Sequence, residues 1–316
     1  MAKGNVAVTN GTDGGDMISV IIPHFNQSGE LRRCLGALSA QAVKGHKVEL
    51  IVVDNGSQAM PLAVVADFPG VRLAQELEKG PGPARNHGVT LAKGAILAFI
   101  DADCVAAPGW LAAIAARFAD PSVEVLGGDV QILHADDQRP TGLECFEAEF
   151  GYRMEHYIRG QNFTGTGNLA MRRAVFDLVG GFAGIGVAED RDWGQRAHAR
   201  GVRITWVPEM IAYHPARTTF AELARKWDRH TAHDFETMIS KPLGRLRWVA
   251  RTGAMALSPL AQVPRVLASR RIKGGFIGKT KALAVLARIR LYRARLMVPL
   301  IFARDASRLS GRWRKG

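Results

Sequence analysis

Cysteine is scarce in this 316-residue chain. Cys34, Cys104 and Cys145 leave one thiol over in any disulfide scheme and share no metal-like spacing. That excludes a disulfide-stapled secreted domain and fits a reducing cytosol. Long apolar runs are also missing: the longest near the end, Leu296 to Ala303, has eight residues, against the roughly 18–20 that cross a bilayer. No G-x-G-x-x-G follows the first apolar run, which argues against a dinucleotide-binding Rossmann enzyme. Acidic residues almost vanish from one end. Residues 1–240 hold 23 Lys and Arg against 28 Asp and Glu, whereas residues 241–316 hold 19 against Asp305 alone. The overall charge of +13 therefore hides a mildly acidic body with a strongly basic tail. Such a tail calls for a polyanionic partner.

What is present reads as a large α/β domain. Ile18 to Pro23, Val48 to Asp54, Val71 to Leu73 and Ile96 to Asp101 are strand-like, with helical segments near 30–41, 83–93 and 108–118 between them. This rhythm predicts a doubly wound, mostly parallel sheet. Val123 to Ile132 reads as a further strand whose Gly127-Gly128 allows a bend or close backbone approach. Helices are expected over 142–158, from Arg172, and over 189–199, with a strand at 202–207. Thr219 to Glu222 has capping-box spacing and starts a helix with Phe220, Leu223 and Trp227 on one stripe. The expected division is a disordered leader at 1–16, a catalytic-type domain at 17–240 and a basic helical tail at 241–316.

Asp101-Ala102-Asp103 closes the most apolar strand, Ile96 to Ile100. Open α/β sheets place ligands at that edge. In an extended backbone, carboxylates at i and i+2 point the same way. They do not attract a polyanion themselves, but Mg2+ or Mn2+ held by their oxygens does. An isolated D-x-D also occurs as a cap or turn, so the neighbouring motifs decide its meaning.

Those motifs follow in order. Val20-Ile21-Ile22-Pro23-His24-Phe25-Asn26 opens the fold, and Ile51-Val52-Val53-Asp54-Asn55-Gly56-Ser57 ends the second strand. Gly80 to Gly88 includes Arg85-Asn86, Gly167-Asn168 opens the stretch to Gly180-Gly181-Phe182, and Glu189-Asp190 begins a helix. Together they resemble a family 2 glycosyltransferase of the GT-A fold over residues 17–235. The resemblance implies a Rossmann-like nucleotide-diphospho-sugar transferase, an enzyme taking a nucleoside-diphosphate sugar, UDP-sugar first, and delivering the sugar to an acceptor hydroxyl with inversion. It implies that Pro23, Phe25, Asn26 and Asp54 bind the nucleoside and that Arg85 and Asp101 meet the diphosphate or ribose. Asp103 and His214 hold the metal, and Asp190 is the base. Glu189, Trp193, Gly167 and Asn168 are acceptor-side candidates. Bland alternatives stand beside these: an Asx turn from Asp54 to Ser57, an Arg85–Asp101 pair, a helix-capping Glu189-Asp190, and Trp193 as core.

The nearest enzymatic alternative is a sugar-nucleotide pyrophosphorylase, which needs a Gly-rich, Lys-bearing loop after the first strand. His24-Phe25-Asn26-Gln27-Ser28-Gly29 stands there instead. A non-catalytic polyanion-binding protein on a transferase fold is the other. The acceptor falls to residues around 134–165 and stays unread. The tail points to an anionic membrane surface, with Phe276, Ile277, Tyr292, Leu296 and Met297 as inserting residues, and not to specific nucleic acid, because its aromatics are widely spaced. The expected setting is cytoplasmic, peripheral at the inner face of the plasma membrane, in cell-envelope or lipid-linked glycan synthesis.

Overall fold

The computed structural model describes residues 17–303 and 305; the expected leader at 1–16 lies outside them. By compactness the chain divides into two units, residues up to 130 with 153–214, and residues 131–152 with those from 215 onward. This line differs from a cut at 240.

The first unit carries the sheet. Strands β1 (Met17–His24), β2 (Lys47–Asp54), β3 (Arg72–Gln75) and β4 (Ile96–Ile100) alternate with helices α1 (Ser28–Ser39), α2 (Leu62–Ala66) and α3 (Pro81–Leu91). β1 pairs in parallel with β2 and β4, and β2 with β3. The remaining strands are β5 (Val105–Ala106), β6 (Val125–Leu133), β7 (Asn168–Arg172) and β8 (Ile204–Pro215). They complete an eight-stranded sheet ordered β3-β2-β1-β4-β7-β6-β8-β5. Its β7–β4, β7–β6 and β5–β8 pairs are antiparallel. The parallel half is thus the doubly wound half.

Side chains leave a strand on alternate faces, and the core follows. Ile18, Val20, Ile22, Ile96, Ala98 and Ile100 pack with Leu31, Leu35 and Leu38 of α1 and with Trp110 and Ile114 of α4 (Trp110–Phe118). On the other face Ile21, Leu97 and Phe99 meet Val89 of α3, Val175 and Val179 of α7 (Arg173–Val179), and Trp193 of α8 (Glu189–Ala199). Burying each such side chain contributes about 1.5–3 kcal/mol.

Several local expectations change. β7 occupies residues 168–172, where sequence reading saw only a loop and a following helix; it is short, and its buried Leu169-Ala170-Met171 carries no alternation to read. The helix expected over 142–158 is two, α5 (Gly142–Phe150) and α6 (Met154–Gln161), broken after Gly151. β8 runs twelve residues rather than ending at Val207. At Gly128 a Cβ would collide with the Met210 carbonyl and the Asn168 amide, so the expected close approach is real.

The second unit is helical: α5, α9 (Phe220–Ile239), α10 (Gly244–Ala261), α11 (Val263–Ala268) and α12 (Gly275–Met297). Thr141 and Glu144 form a reciprocal capping box on α5, and Thr219 caps α9. α12 is the hub. Its Ala282 packs with Cys145 and Val266, its Leu286 and Ile289 with Phe146 and Leu223, and its Met297 with Phe235 and Trp248. Arg293 is buried within this packing, 4.1 Å over the Trp227 ring, with Asp234 3.5 Å away. Among the expected inserting residues, Leu296 and Met297 are therefore inside the bundle. Tyr292 is half-buried, its hydroxyl on Asp228. Only Phe276 and Ile277 are exposed.

Candidate active site

The site forms where β1, β2 and β4 end and β8 returns. At the end of β1, His24 is buried, with Nδ1 2.9 Å from Asp54 Oδ1 and Nε2 accepting from the Gln27 N–H at 3.2 Å. A lone pair on Nε2 leaves the ring proton on Nδ1, facing Asp54. Asp54 Oδ2 accepts from the Ser57 N–H at 3.1 Å. Burial pushes the Asp54 carboxyl up, but the hydrogen bonds from Ser57 and His24 outweigh it and hold the group below its ordinary value. Asp54 is fully buried with both oxygens engaged, so the Asx turn weighed from sequence is formed. Pro23 is half-buried, and Phe25 is exposed at the mouth.

Asn26 takes a left-handed φ of 54°, a conformation asparagine tolerates better than most residues. Its N–H donates to Ser57 Oγ and its Oδ1 accepts from the Gln58 N–H. The two strand-end loops are thereby locked together. Asn55 and Asn86 do similar work that sequence reading missed. Asn55 bridges the Glu76 and Glu78 carbonyls and the Gly80 N–H, and Asn86 makes a two-way bond with the Phe182 backbone.

The D-x-D triplet is a turn and not extended backbone, because the Cys104 N–H bonds back to the Asp101 carbonyl at 3.0 Å. The expectation that both carboxylates point one way from a strand is corrected accordingly. Asp101 turns to Arg85, whose buried guanidinium donates to Asp101 Oδ1 at 2.5 Å and to Glu189 Oε1 at 3.2 Å. The Arg85 Nε has no partner. Gly167 is pressed against Asp101, since a Cβ there would run into Oδ2. Asp103 turns instead to His214, 3.5 Å from Nε2, and accepts from Gln27 Nε2 at 3.4 Å.

Register explains the His214 contact. β5, immediately after the turn, pairs antiparallel with β8 through Val105↔Tyr213 and Ala106↔Ala212, so His214 arrives beside the triplet. Asp103, Cys104 and His214 offer ligand atoms within 4.8 Å of one another. Burial pushes the Cys104 thiol well up, which keeps it a thiol. Burial also raises Asp103, with His214 opposing and Asp101 reinforcing.

Glu189 and Asp190 open α8, where the helix dipole favours anions. The cap position itself is Ala188 and makes no side-chain bond, while Asp190 Oδ1 accepts from the first-turn Arg191 N–H at 2.7 Å. Burial raises the Asp190 carboxyl, with the Arg191 N–H opposing and Glu189 adding to the rise. The nearby Tyr157 phenol is raised by burial and, further, by Asp190. Asp192 turns away to Arg196 at 2.8 Å.

Two acceptor-side candidates are corrected. Asn168 is fully buried, its amide spent on the Asp129 and Met210 carbonyls and on Trp110 Nε1, so it braces three strands and a helix. Trp193 is core, its Nε1 on the Gly180 carbonyl and its ring against Phe182. In both cases the polar atoms are engaged within the core, Asn168 Nδ2 on two carbonyls and its Oδ1 on the Trp110 N–H, and Trp193 Nε1 on one carbonyl.

Paired carboxylates, a histidine and an arginine brace thus meet at the C-terminal edge of the parallel strands, and the comparisons give the class. The profile of glycosyl transferase family 2 matches residues 19–180. The glycosyltransferase AglE of Haloferax volcanii is 32% identical over 215 residues, 66% of this chain and 70% of that protein. The chain belongs to glycosyl transferase family 2. The pre-mycofactocin glycosyltransferase of Mycobacterium tuberculosis is 27% identical over 220 residues, and the match spans under half of its length, 45%. Among solved structures, the Pyrobaculum calidifontis mannosyltransferase PcManGT, in complex with GDP-Man and Mn2+, aligns over 95% of this chain and 88% of its own with a TM-score of 0.55 at 18% identity. S. aureus TarS 1-349 with UDP-GlcNAc aligns over 88% of this chain and 91% of its own at 0.52 and 18%. These two share the GT-A fold.

Proposed function

We propose that this transferase is inverting and metal-dependent, moving one sugar from a nucleoside-diphosphate sugar, with UDP-sugars tested first, to an acceptor hydroxyl. The observation that carries the reading is the splitting of the triplet: Asp101 is held by Arg85 beside Glu189-Asp190, while Asp103 faces His214.

A divalent ion fits that second pair. A carboxylate and an imidazole together suit Mn2+ and accept Mg2+, and the Cys104 thiol stands beside them. Bound there, the ion supplies positive charge against the diphosphate as it departs. The bound Mn2+ of PcManGT supports the assignment. Asp103 and His214 hold the ion; Gln27 orients Asp103. Arg85 fixes Asp101 and Glu189 and leaves Asp190 to take the proton from the acceptor hydroxyl. Its raised carboxyl pKa brings it nearer to that task than an ordinary aspartate. With Asp190 as the one base, a single in-line displacement inverts the anomeric centre. Phe25 and Pro23 wall the base, and Asp54 shapes its floor through His24 and Ser57.

The acceptor class that the basic helical unit favours is a lipid-linked or cell-envelope glycan at an anionic membrane face. No helix among the described residues is long and apolar enough to cross a membrane, so the association would be peripheral.

The test is thermal stabilisation by UDP-, GDP- and dTDP-sugars with and without Mn2+. A donor at a hundredfold its Kd adds about 2.7 kcal/mol, a clear rise in Tm. One nucleotide should stabilise with Mn2+ and far less without it. Equal stabilisation in EDTA would refute the metal reading.

A further inference from the structure

α10 has two apolar faces, and the bundle uses one. Trp248, Thr252 and Met255 point inward and are at most 8% exposed. At 100° per residue, the opposite sector holds Leu246, Val249, Ala250, Gly253, Ala254, Leu257, Leu260 and Ala261 without one polar or charged side chain among them. All are exposed, Leu246 at 66%, Leu257 at 67% and Leu260 at 73%. Arg245 and Arg247 stand at the two borders of this sector, roughly 100° to either side of Leu246.

A surface helix normally shows one apolar stripe and one polar face. A second stripe of large exposed side chains marks something that covers it. Leu243, just before α10, is also exposed and holds a left-handed φ of 56°, a conformation leucine rarely adopts. Arg245 bonds the Ile301 and Ala303 carbonyls, which brings exposed Phe302 to this end of α10.

We propose that the outer stripe of α10 is a membrane-insertion surface that seats in an anionic leaflet. The inference deepens the membrane association proposed above and rests on it. It also moves the contact from α12, whose apolar residues fill the bundle, to α10. The occupant follows from charge. Residues 241–303 contain no Asp or Glu, so the charges on the stripe's own segment are of one sign; Asp234 of α9 is engaged by Arg251, which lies outside the stripe. A second copy docking stripe to stripe would offer Arg245 and Arg247 no acidic partner from its own residues 241–303. An anionic lipid surface attracts the same arginines while the leucines enter the acyl boundary, the arrangement of interfacial helices. Long Arg side chains reach back to headgroups as the stripe sinks.

The experiment compares the full chain with the triple variant Leu246→Gln, Leu257→Gln, Leu260→Gln in co-sedimentation with phosphatidylglycerol and with phosphatidylcholine vesicles. The three positions are exposed, so Tm and nucleotide affinity should not move. The unmodified chain should bind phosphatidylglycerol and release at high salt, and the variant should partition at least about tenfold more weakly, a loss of about 1.4 kcal/mol. Equal binding by both proteins would overturn the stripe and leave membrane association standing. No binding by either would overturn both. A lipid-free dimer that the variant dissolves would assign the stripe to a second copy and refute the proposal.

Discussion

Both units hold close ion pairs, Arg265 with Glu149 and Arg251 with Asp234 in the helical one, but they differ in what they leave uncovered. Around the sheet edge, charges of both signs meet at short range: Arg85 with Asp101 and Glu189, His24 with Asp54, His214 with Asp103. Each functional side chain is fixed by another, and preorganisation of that kind is what transition-state stabilisation needs. In the helical unit positive charge prevails, and large apolar side chains on α10 stay uncovered. The first arrangement suits a small charged substrate held in one geometry. The second suits a broad surface that tolerates many orientations. The division of labour is therefore visible in how each unit's side chains are satisfied.

The largest expected effect sharpens the first half of the comparison. Asp190→Asn should lower turnover about 10²–10⁴-fold with donor affinity kept, as measured by steady-state kinetics and nucleotide titration. pH gives an independent reading. The raised carboxyl binds its proton more tightly in the folded chain than in the unfolded one, so its contribution to stability is lost as pH rises from the ordinary aspartate range through the raised value. Turnover should rise over the same window because the base must be ionised. The amide of the Asp190→Asn variant does not titrate, so both trends should vanish, with Tm slightly higher above that window while turnover falls. A variant retaining more than about a tenth of turnover, with chemistry rate-limiting, would move the base elsewhere.

Next is the arginine brace. Arg85→Met leaves Asp101 and Glu189 facing each other with no cation, and should destabilise by about 3 kcal/mol, the low end for a broken buried pair because Asp101 keeps some solvent. Urea unfolding measures it, and a loss below about 1 kcal/mol would mean the brace is only a surface pair.

In the helical unit, Leu286→Ala on α12 should cost about 2–5 kcal/mol by opening a cavity, whereas Leu257→Ala on the outer face of α10 should fall within about 0.5 kcal/mol. Equal losses at the two positions would erase the contrast between covered and uncovered leucines. Trp193→Phe removes the bond to the Gly180 carbonyl and should cost about 1 kcal/mol, more than the outer-face Leu257 substitution, with KM for the acceptor unchanged. A large KM change would return Trp193 to the acceptor side.

Legibility from sequence followed the range of the interactions. β1, β2 and β4 were readable because each is a continuous buried run ending in a chemically marked loop, and α8 because its acidic start and Gly201 stop are local. β7 was missed because Leu169-Ala170-Met171 has no period, and its pairing with β4 and β6 depends on residues more than forty positions away. The same distance hid the tasks of Asn168, Arg172 and Arg173. Asn168 looked like a ligand contact but ties Asp129 to Met210, while the two guanidiniums cap helix ends, Arg172 on the Phe118 and Asp120 carbonyls and Arg173 on Val89 and Ala92. The contact of His214 with Asp103 is not legible from local patterns, since the strand that delivers it reads as ending at Val207. In the tail, residues 281–297 show no single apolar face in sequence. α12 buries Arg293 among its apolar side chains and leaves Phe276, Ile277 and Leu291 exposed, which blurs the pattern.

The central claim is that Asp103 and His214 hold the divalent ion against the donor diphosphate. Calorimetric titration of UDP, and of GDP if UDP fails, into the chain with Mn2+ and in EDTA tests it most directly, repeated with Asp103→Ala. The account predicts tight binding only with Mn2+ in the unmodified chain, and loss of the Mn2+-dependent part in the variant while Tm holds. Unchanged Mn2+-dependent affinity in Asp103→Ala would contradict it.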